Sequence, residues 1–266
     1  MFDWSVNGER SIFRAGLDGT DTVRLSSGGA SDQHPSERDG IVVFTSYRDG
    51  HGEIYSVPAT GGPLTRVTVT MANETQPALS PDTTKIAYVS DVSGVTKLWL
   101  CAIDGSGAHP LTAGFGFAGA PEASPSWAPD GTRLVFVSTT NGSANLFILT
   151  LVGGAPTPLV TGPSADVEPA WSPSGTEIAF ASTQAGDGST NIFTVDVATQ
   201  QIVQVTHDAG TDGQPAWLTD GRIVYTTWVG GAAQLHWIDP LRSTDTGTGT
   251  GTVPVVGDAQ HAAAIL

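Results

Sequence analysis

The sequence predicts an all-β fold, a six-bladed β-propeller of four-stranded antiparallel blades, and three observations carry that prediction. The first is a repeated motif: Gln76-Pro77-Ala78-Leu79-Ser80-Pro81-Asp82, Ser124-Pro125-Ser126-Trp127-Ala128-Pro129-Asp130-Gly131, Glu168-Pro169-Ala170-Trp171-Ser172-Pro173-Ser174-Gly175 and Gln214-Pro215-Ala216-Trp217-Leu218-Thr219-Asp220-Gly221, with a worn copy at Gln33-His34-Pro35-Ser36-Glu37. The copies lie roughly 43–48 residues apart, the spacing of a propeller blade. The second is that each copy runs into a short apolar strand. The third is a chain with 33 glycines and 17 prolines and almost no helical periodicity, which suits many short strands joined by tight turns.

Each copy reads in the same way. A proline opens the innermost strand, where a missing N–H costs least. Asp-Gly or Ser174-Gly175 supplies a hairpin turn. Ile178, Phe180 and Ser182 then alternate with Ala179 and Ala181, the pattern of a strand packed on both faces. Trp127, Trp171 and Trp217 are expected to be buried between blades. Residues 2–26 match only the later part of a repeat. The missing innermost strand is found at the other end, where residues 258–266 align with residues 212–218. A C-terminal strand is therefore expected to complete the N-terminal blade and close the ring, which removes the exposed sheet edges. The expected single domain spans residues 1–266, with blades at 1–30 plus 258–266, 31–73, 74–121, 122–165, 166–211 and 212–257. Residues 113–122 and the Thr-Gly-rich residues 243–252 read as longer insertions.

Composition narrows the function. The net charge is −15, so binding to a nucleic-acid backbone is not expected. An acidic surface favours cations, basic partners or plain solubility. Cys101 is the only cysteine, which leaves no internal disulfide and no thiolate metal site. No apolar run is long enough to span a bilayer, and the first residues lack signal-peptide character.

The full pattern, Gln/Glu-Pro-Ala-Trp-Ser-Pro-Asp-Gly followed by Ile-Ala-Phe-x-Ser, a Gly-rich turn, Ile-Tyr or Leu-Phe, then Gly-Gly and Leu-Thr, resembles the WD40-like (PD40) β-propeller repeat of the TolB family. The resemblance covers essentially the whole chain. Residues 34–38 depart from it, and Thr83 replaces the turn glycine. It implies a six-bladed propeller, usually exported to the periplasm and used as a binding platform. Related repeats also occur beside peptidase domains and in oligogalacturonate lyases, but no Gly-x-Ser-x-Gly nucleophile elbow is present here.

Strand order predicts which residues share a face. The openings of the innermost strands and the turns between second and third strands lie at one end, here called the upper face. The position that opens each innermost strand holds Glu74, Glu122, Asp166, Asp212 and Asp258, with Ser31 beside Asp32 in the remaining blade. Two residues later come Gln33, Gln76, Ser124, Glu168, Gln214 and Gln260. A mouth ringed by carboxylates and amides suits Ca²⁺ or another hard divalent cation, and crowded carboxylates without one have raised pKa values. The other reading is that these side chains cap loops and bond the backbone of neighbouring blades. His34 and His261 are placed where other copies have proline. On adjacent blades they form a candidate transition-metal pair or ordinary channel-lining histidines. Tyr47, Phe115, Phe117 and Trp228 fall on the same face as candidate partner-binding anchors, or as packing beneath the loops.

The expected function is a non-catalytic binding or scaffold module that engages a protein or peptide through one propeller face, with a cation at the channel mouth and no organic cofactor. Two alternatives are a metal-dependent lyase or hydrolase at the acidic mouth, and a structural subunit of a larger envelope or membrane-associated assembly. A polyanion-cleaving site needs Arg or Lys to hold its substrate, and the ring at the strand openings contains none.

Overall fold

Every strand pairs antiparallel with its neighbour in sequence, apart from the closing strand. The computed structural model describes residues 1–266 except 7, 29–30, 116, 118, 208–209, 242–249, 254–258 and 263–266, and only the backbone of residues 6, 250–253 and 259–262. The described residues form six four-stranded sheets. The first blade contains β1 (Phe2–Val6), β2 (Glu9–Arg14) and β3 (Val23–Arg24). The second contains β4 (Asp32–Arg38), β5 (Ile41–Ser46), β6 (Glu53–Pro58) and β7 (Thr65–Arg66). The third contains β8 (Glu74–Leu79), β9 (Lys85–Ser90), β10 (Lys97–Ala102) and β11 (His109–Pro110). The fourth contains β12 (Glu122–Trp127), β13 (Arg133–Ser138), β14 (Asn145–Thr150) and β15 (Thr157–Val160). The fifth contains β16 (Asp166–Trp171), β17 (Glu177–Ser182), β18 (Asn191–Asp196) and β19 (Ile202–Gln204). The sixth contains β20 (Thr211–Trp217), β21 (Ile223–Val229), β22 (Ala232–Ile238) and β23 (Thr250–Val253).

The last strand, β24 (Ala259–Ala262), lies beside β1 and gives the first blade the order β24-β1-β2-β3. The pairs are Phe2↔Ala262, Asp3↔Gln260 and Trp4↔Ala259. The expected closure by the C-terminal strand is therefore present.

Apolar residues on both faces of the second and third strands hold the ring together. Val135 and Leu146 of the fourth blade pack with Trp171, Ile178 and Phe180 of the fifth. Ala179 and Ile192 of the fifth pack with Trp217 and Tyr225 of the sixth. Phe2 and Phe13 of the first blade meet Val224 and Leu235 of the sixth. Each blade thus buries one face against each neighbour, as a sheet with two apolar faces requires. Thr83, which stands where other copies have turn glycines, keeps their conformation, with φ 57° against 69° at Gly131 and 73° at Gly175.

The three repeated tryptophans are buried, as expected. They are not equivalent. The indole N–H groups of Trp127 and Trp217 donate to the carbonyls of Ala78 (2.9 Å) and Ala170 (3.1 Å) in the preceding blade. The Trp171 N–H is buried without an acceptor, and its ring lies 4.9 Å from the Arg133 guanidinium carbon. Tryptophan-to-phenylalanine replacement removes the same volume at each site. Trp127→Phe is therefore expected to cost about 1 kcal/mol more than Trp171→Phe, because it also orphans the Ala78 carbonyl. Urea unfolding of the two variants checks this, and equal losses would contradict it.

Candidate functional site

The channel is shaped by a distortion repeated in five innermost strands. His34, Gln76, Ser124, Glu168 and Gln214 all have left-handed backbone, with φ between 51° and 55°. Each is followed by proline, and each sits where the pairing register shifts to the second strand of its blade. Such a bulge frees one residue from the ladder. Proline is tolerated there because it has no N–H to orphan. These five residues and their prolines line a cavity of about 160 Å³.

The bulged residues also tie neighbouring blades together. The His34 N–H donates to Asp3 Oδ2 of the first blade (3.1 Å), and the Gln76 N–H to Thr45 Oγ1 of the second (3.1 Å). The Ser124 N–H donates to Gln76 Oε1 (2.7 Å), and the Gln214 N–H to Glu168 Oε2 (2.7 Å). Gln76 and Glu168 therefore satisfy backbone groups across blade boundaries while they line the channel. Their capping role, one of the two sequence readings, is present.

The register in the second blade differs from the sequence alignment by one residue. Asp32 opposes Ser46 as Glu74 opposes Ser90. His34 therefore shares the bulge position of Gln76, and Pro35 matches Pro77. His34 does not replace a proline, and Gln33 does not share the Gln76 position. His261 belongs to β24, but its side chain lies outside the described residues, as does Asp258.

The carboxylates that open the innermost strands do not line the cavity. Asp32, Glu74, Glu122, Asp166 and Asp212 are buried, and each faces a Ser or Thr at the end of the second strand: Ser46, Ser90, Ser138, Ser182 and Thr227. Asp32 accepts from Arg48 Nη2 at 3.2 and 3.1 Å. Glu74 Oε1 accepts from Thr70 (2.9 Å) and Ser90 (3.2 Å). Glu122 binds Lys97 Nζ (3.1 Å), the Leu98 N–H (2.9 Å) and Thr112 Oγ1 (2.7 and 2.8 Å). Asp166 Oδ1 accepts from Ser182 (2.5 Å) and Gln184 (3.0 Å). Apart from Lys97 and Leu98, which belong to β10 of the third blade, these partners lie within the same blade or the segment leading to it from the preceding one. Among the described residues, no group of three or more His, Cys, Asp or Glu is placed to hold a metal ion. Among the described residues, Glu168 is the one carboxylate in the cavity lining.

A charged network that the repeat pattern does not signal joins the second and third blades. Glu53 is fully buried. It accepts from Thr68 Oγ1, the Thr70 N–H (2.8 Å), Arg66 Nη2 (2.9 Å) and His51 Nε2 (3.0 Å). His51 Nε2 also lies 2.7 Å from the Thr70 carbonyl. Both neighbours are acceptors, so this nitrogen carries a proton. Burial alone would raise the Glu53 pKa, but these donors outweigh it and hold the pKa below the usual carboxylate value. In Glu74, burial outweighs the Thr70 and Ser90 hydroxyls and raises the pKa, with the Glu53 and Asp91 charges adding to the rise. Asp49 accepts from Tyr55 Oη (2.5 Å) and pairs with Arg66 (3.3 Å). Burial, then the Asp49 hydrogen bond, pushes the Tyr55 pKa up to about 12.

The four candidate aromatics separate into surface and core. Tyr47 and Phe115 are exposed, and Trp228 is half-buried. Phe117 is only 7% exposed and packs edge-on against Phe147, with ring centroids 5.1 Å apart. It is a core residue, because its ring packs with Phe136 of β13 and with Phe147 and Leu149 of β14. Sequence reading missed aliphatic neighbours on the same face: Val69 (75% exposed) and Met71 (95%) in the connection to the third blade, and Val92 in a second-to-third-strand turn.

Six antiparallel sheets around a channel lined by proline bulges define a six-bladed β-propeller. The chain is similar to TolB propellers: residues 76–188 match the TolB beta propeller domain (PD40) family. A 53-residue stretch is 43% identical to the Protein TolB homolog of Chlorobium luteolum; it makes up 20% of this chain and 12% of that protein. The fold is similar to TolB from Acinetobacter baumannii, with a TM-score of 0.82 and 19% identity over 96% of this chain and 62% of that one. It is also similar to a putative TolB from Agrobacterium tumefaciens, with a TM-score of 0.79 and 17% identity over 94% and 91% of the two chains. The chain thus spans less than two thirds of the A. baumannii protein. Among the described residues, no helix is long and apolar enough to cross a membrane.

Proposed function

We propose that this chain is a non-catalytic binding module that engages a protein partner through the upper face of its propeller. The observation that carries this reading is the cluster of exposed apolar side chains there: Tyr47, Val69, Met71, Val92 and Phe115. They stand in the turns and connections at one end of the second and third blades. Large apolar groups exposed together at one end of a propeller suit a docking surface. Resemblance to TolB supports placing the protein outside the cytoplasm, and that placement belongs to the same proposal. A polyanion-cleaving site is less well supported, because among the described residues no lysine or arginine lines the channel cavity.

The test is affinity capture with the wild type and with the double variant Met71→Asp/Val92→Asp, followed by direct titration of the captured protein. These side chains are exposed, so the variant should keep its fold. We expect at least about a tenfold loss of affinity, as for removal of a hot-spot cluster. Equal capture by both proteins would reject this face. A divalent cation in the channel is a separate proposal in which Glu168 supplies the charge; a thermal shift with Ca²⁺ that disappears in Glu168→Gln would support it.

A further inference from the structure

We propose that a crevice between the fifth and sixth blades binds a small amphiphilic amine, with its ammonium or guanidinium group paired to Glu177. The crevice lies at the end of the propeller opposite the upper face, so this site goes beyond the docking reading and is independent of it. Its volume is about 580 Å³, which suits a small-molecule site. Glu177, Thr194, Val203 and Val205 of the fifth blade form one wall, and Trp217 of the sixth stands in the other. Pro173, in the first hairpin turn of the fifth blade, also lines it.

The repeat shows what belongs at this place. Glu177 precedes Ile178, the partner of Trp171, as Arg133 precedes Leu134, the partner of Trp127. Glu177 and Arg133 are therefore equivalent, and Trp217 is the Trp171 of the next blade. Between the fourth and fifth blades, Arg133 reaches across to Trp171, with its guanidinium carbon 4.9 Å from the ring centre. Between the fifth and sixth, a shorter side chain of opposite charge takes that position. Among the described residues, no lysine or arginine lines the crevice, and none lies over Trp217. A volume that a guanidinium fills at one interface is a cavity with a carboxylate wall at the next.

Charge favours the same occupant. Glu177 lies directly opposite Asp196, and like charges facing each other across a strand pair repel. Burial, then the Asp196 charge, raises the Glu177 pKa. Ser172 Oγ holds the Glu177 backbone N–H at 3.0 Å, but among the described residues no donor reaches its carboxylate. Asp220 also lines the crevice and is already neutralised by Arg222 at 2.6 Å. A bound ammonium would supply the counter-charge of Glu177, donate to the Thr194 hydroxyl and face the indole. Val203, Val205 and Pro173 would cover its apolar body. One unpaired carboxylate is too few hard ligands for a bare Ca²⁺ ion, so the walls select an organic cation.

The Trp217 indole N–H, which donates to Ala170, is a local reporter, and its ¹H–¹⁵N signal is the one missing from Trp217→Phe. At neutral pH, phenylbutylamine or phenylbutylguanidine should move this signal saturably. Phenylbutanol, which has the same body without the charge, should not. Glu177→Gln should weaken the binding about tenfold, and Val203→Ser, which trims the apolar wall, about threefold. Glu177→Arg rebuilds the fourth-blade arrangement and should abolish binding. Glu177→Gln keeps the side-chain shape, so it decides the question even where Glu177→Arg fails to fold. Asp104→Asn, a distant and exposed control for net charge, should bind as the wild type does. Equal shifts with the alcohol, unchanged binding in Glu177→Gln, or no saturable shift with either cation below about 10 mM would overturn the proposal. So would shifts with CaCl₂ and none with either amine. Tighter binding of N-acetyl-lysine amide than of phenylbutylamine would make the occupant a peptide side chain and overturn the small-molecule assignment.

Discussion

A chain truncated after residue 258 is expected to lose most of its stability and to aggregate. β24 supplies the innermost strand of the first blade and pairs with β1 from Phe2↔Ala262 to Trp4↔Ala259. It also touches β4 of the second blade and β20, β21 and β22 of the sixth. Its removal therefore exposes an unpaired edge on β1 and opens two blade interfaces together. The apolar contact of Phe2 and Phe13 with Val224 and Leu235 then becomes the main link between first and last blades. A domain is held by only about 5–15 kcal/mol in total, and a ring broken at one junction forfeits a large part of that. The exposed edge is also a template for pairing with other chains. Size-exclusion chromatography and thermal unfolding test this. A synthetic peptide covering residues 257–266 should partly restore the monomer by strand addition. A truncated monomer with an unchanged Tm would show that side-chain packing alone closes the ring.

The blade architecture was legible because the repeat encodes it several times over. Proline marks the innermost strand, Asp-Gly or Ser-Gly marks the first hairpin, and alternation marks the second strand. These signals agree in the copies at residues 124, 168 and 214, and all but the turn glycine recur in the copy at residue 76, so an error in one copy cannot change the fold. The copy at residues 33–38 lacks the tryptophan and the second proline, and there the register slipped by one. Because side chains alternate along a strand, that slip moved His34 from the bulge to the proline position.

The candidate site was less legible for a related reason. The positions of Glu74, Glu122, Asp166 and Asp212 were found correctly at the upper end of each blade, but their direction was not. They face the serine or threonine of the second strand, while the bulge two residues later turns Gln76, Ser124, Glu168 and Gln214 towards the channel. A bulge of this kind shows in the sequence only as a proline, which does not reveal how the preceding side chain points.

Glu53 and Glu74 are expected to affect stability in opposite ways as pH changes, although both are buried and both bond Thr70. The folded pKa of Glu53 lies below its ordinary value of 4.5. Its stabilisation is therefore complete above that value and is lost as pH falls through the folded pKa. The folded pKa of Glu74 lies above 4.5. Its favourable contribution is present below 4.5 and is lost as pH rises through the folded pKa, because the charged form is then buried without a cation. Glu53→Ala should cost about 3–5 kcal/mol at pH 7, since it removes one of the two carboxylates paired with Arg66 and leaves Thr68 Oγ1 and the Thr70 N–H without their buried acceptor. That cost should shrink in acid. Glu74→Gln keeps the shape and removes the charge, so it should be neutral or stabilising at pH 7 and relatively worse near pH 4. The two effects should not add in the double variant, because Thr70 bridges both carboxylates. Urea unfolding of the wild type and the three variants between pH 4 and 8 measures all of this. A Glu53→Ala loss under about 1 kcal/mol would place that carboxylate in solvent, and a Glu74→Gln variant that is weaker at pH 7 than near pH 4 would reverse the sign argued for Glu74.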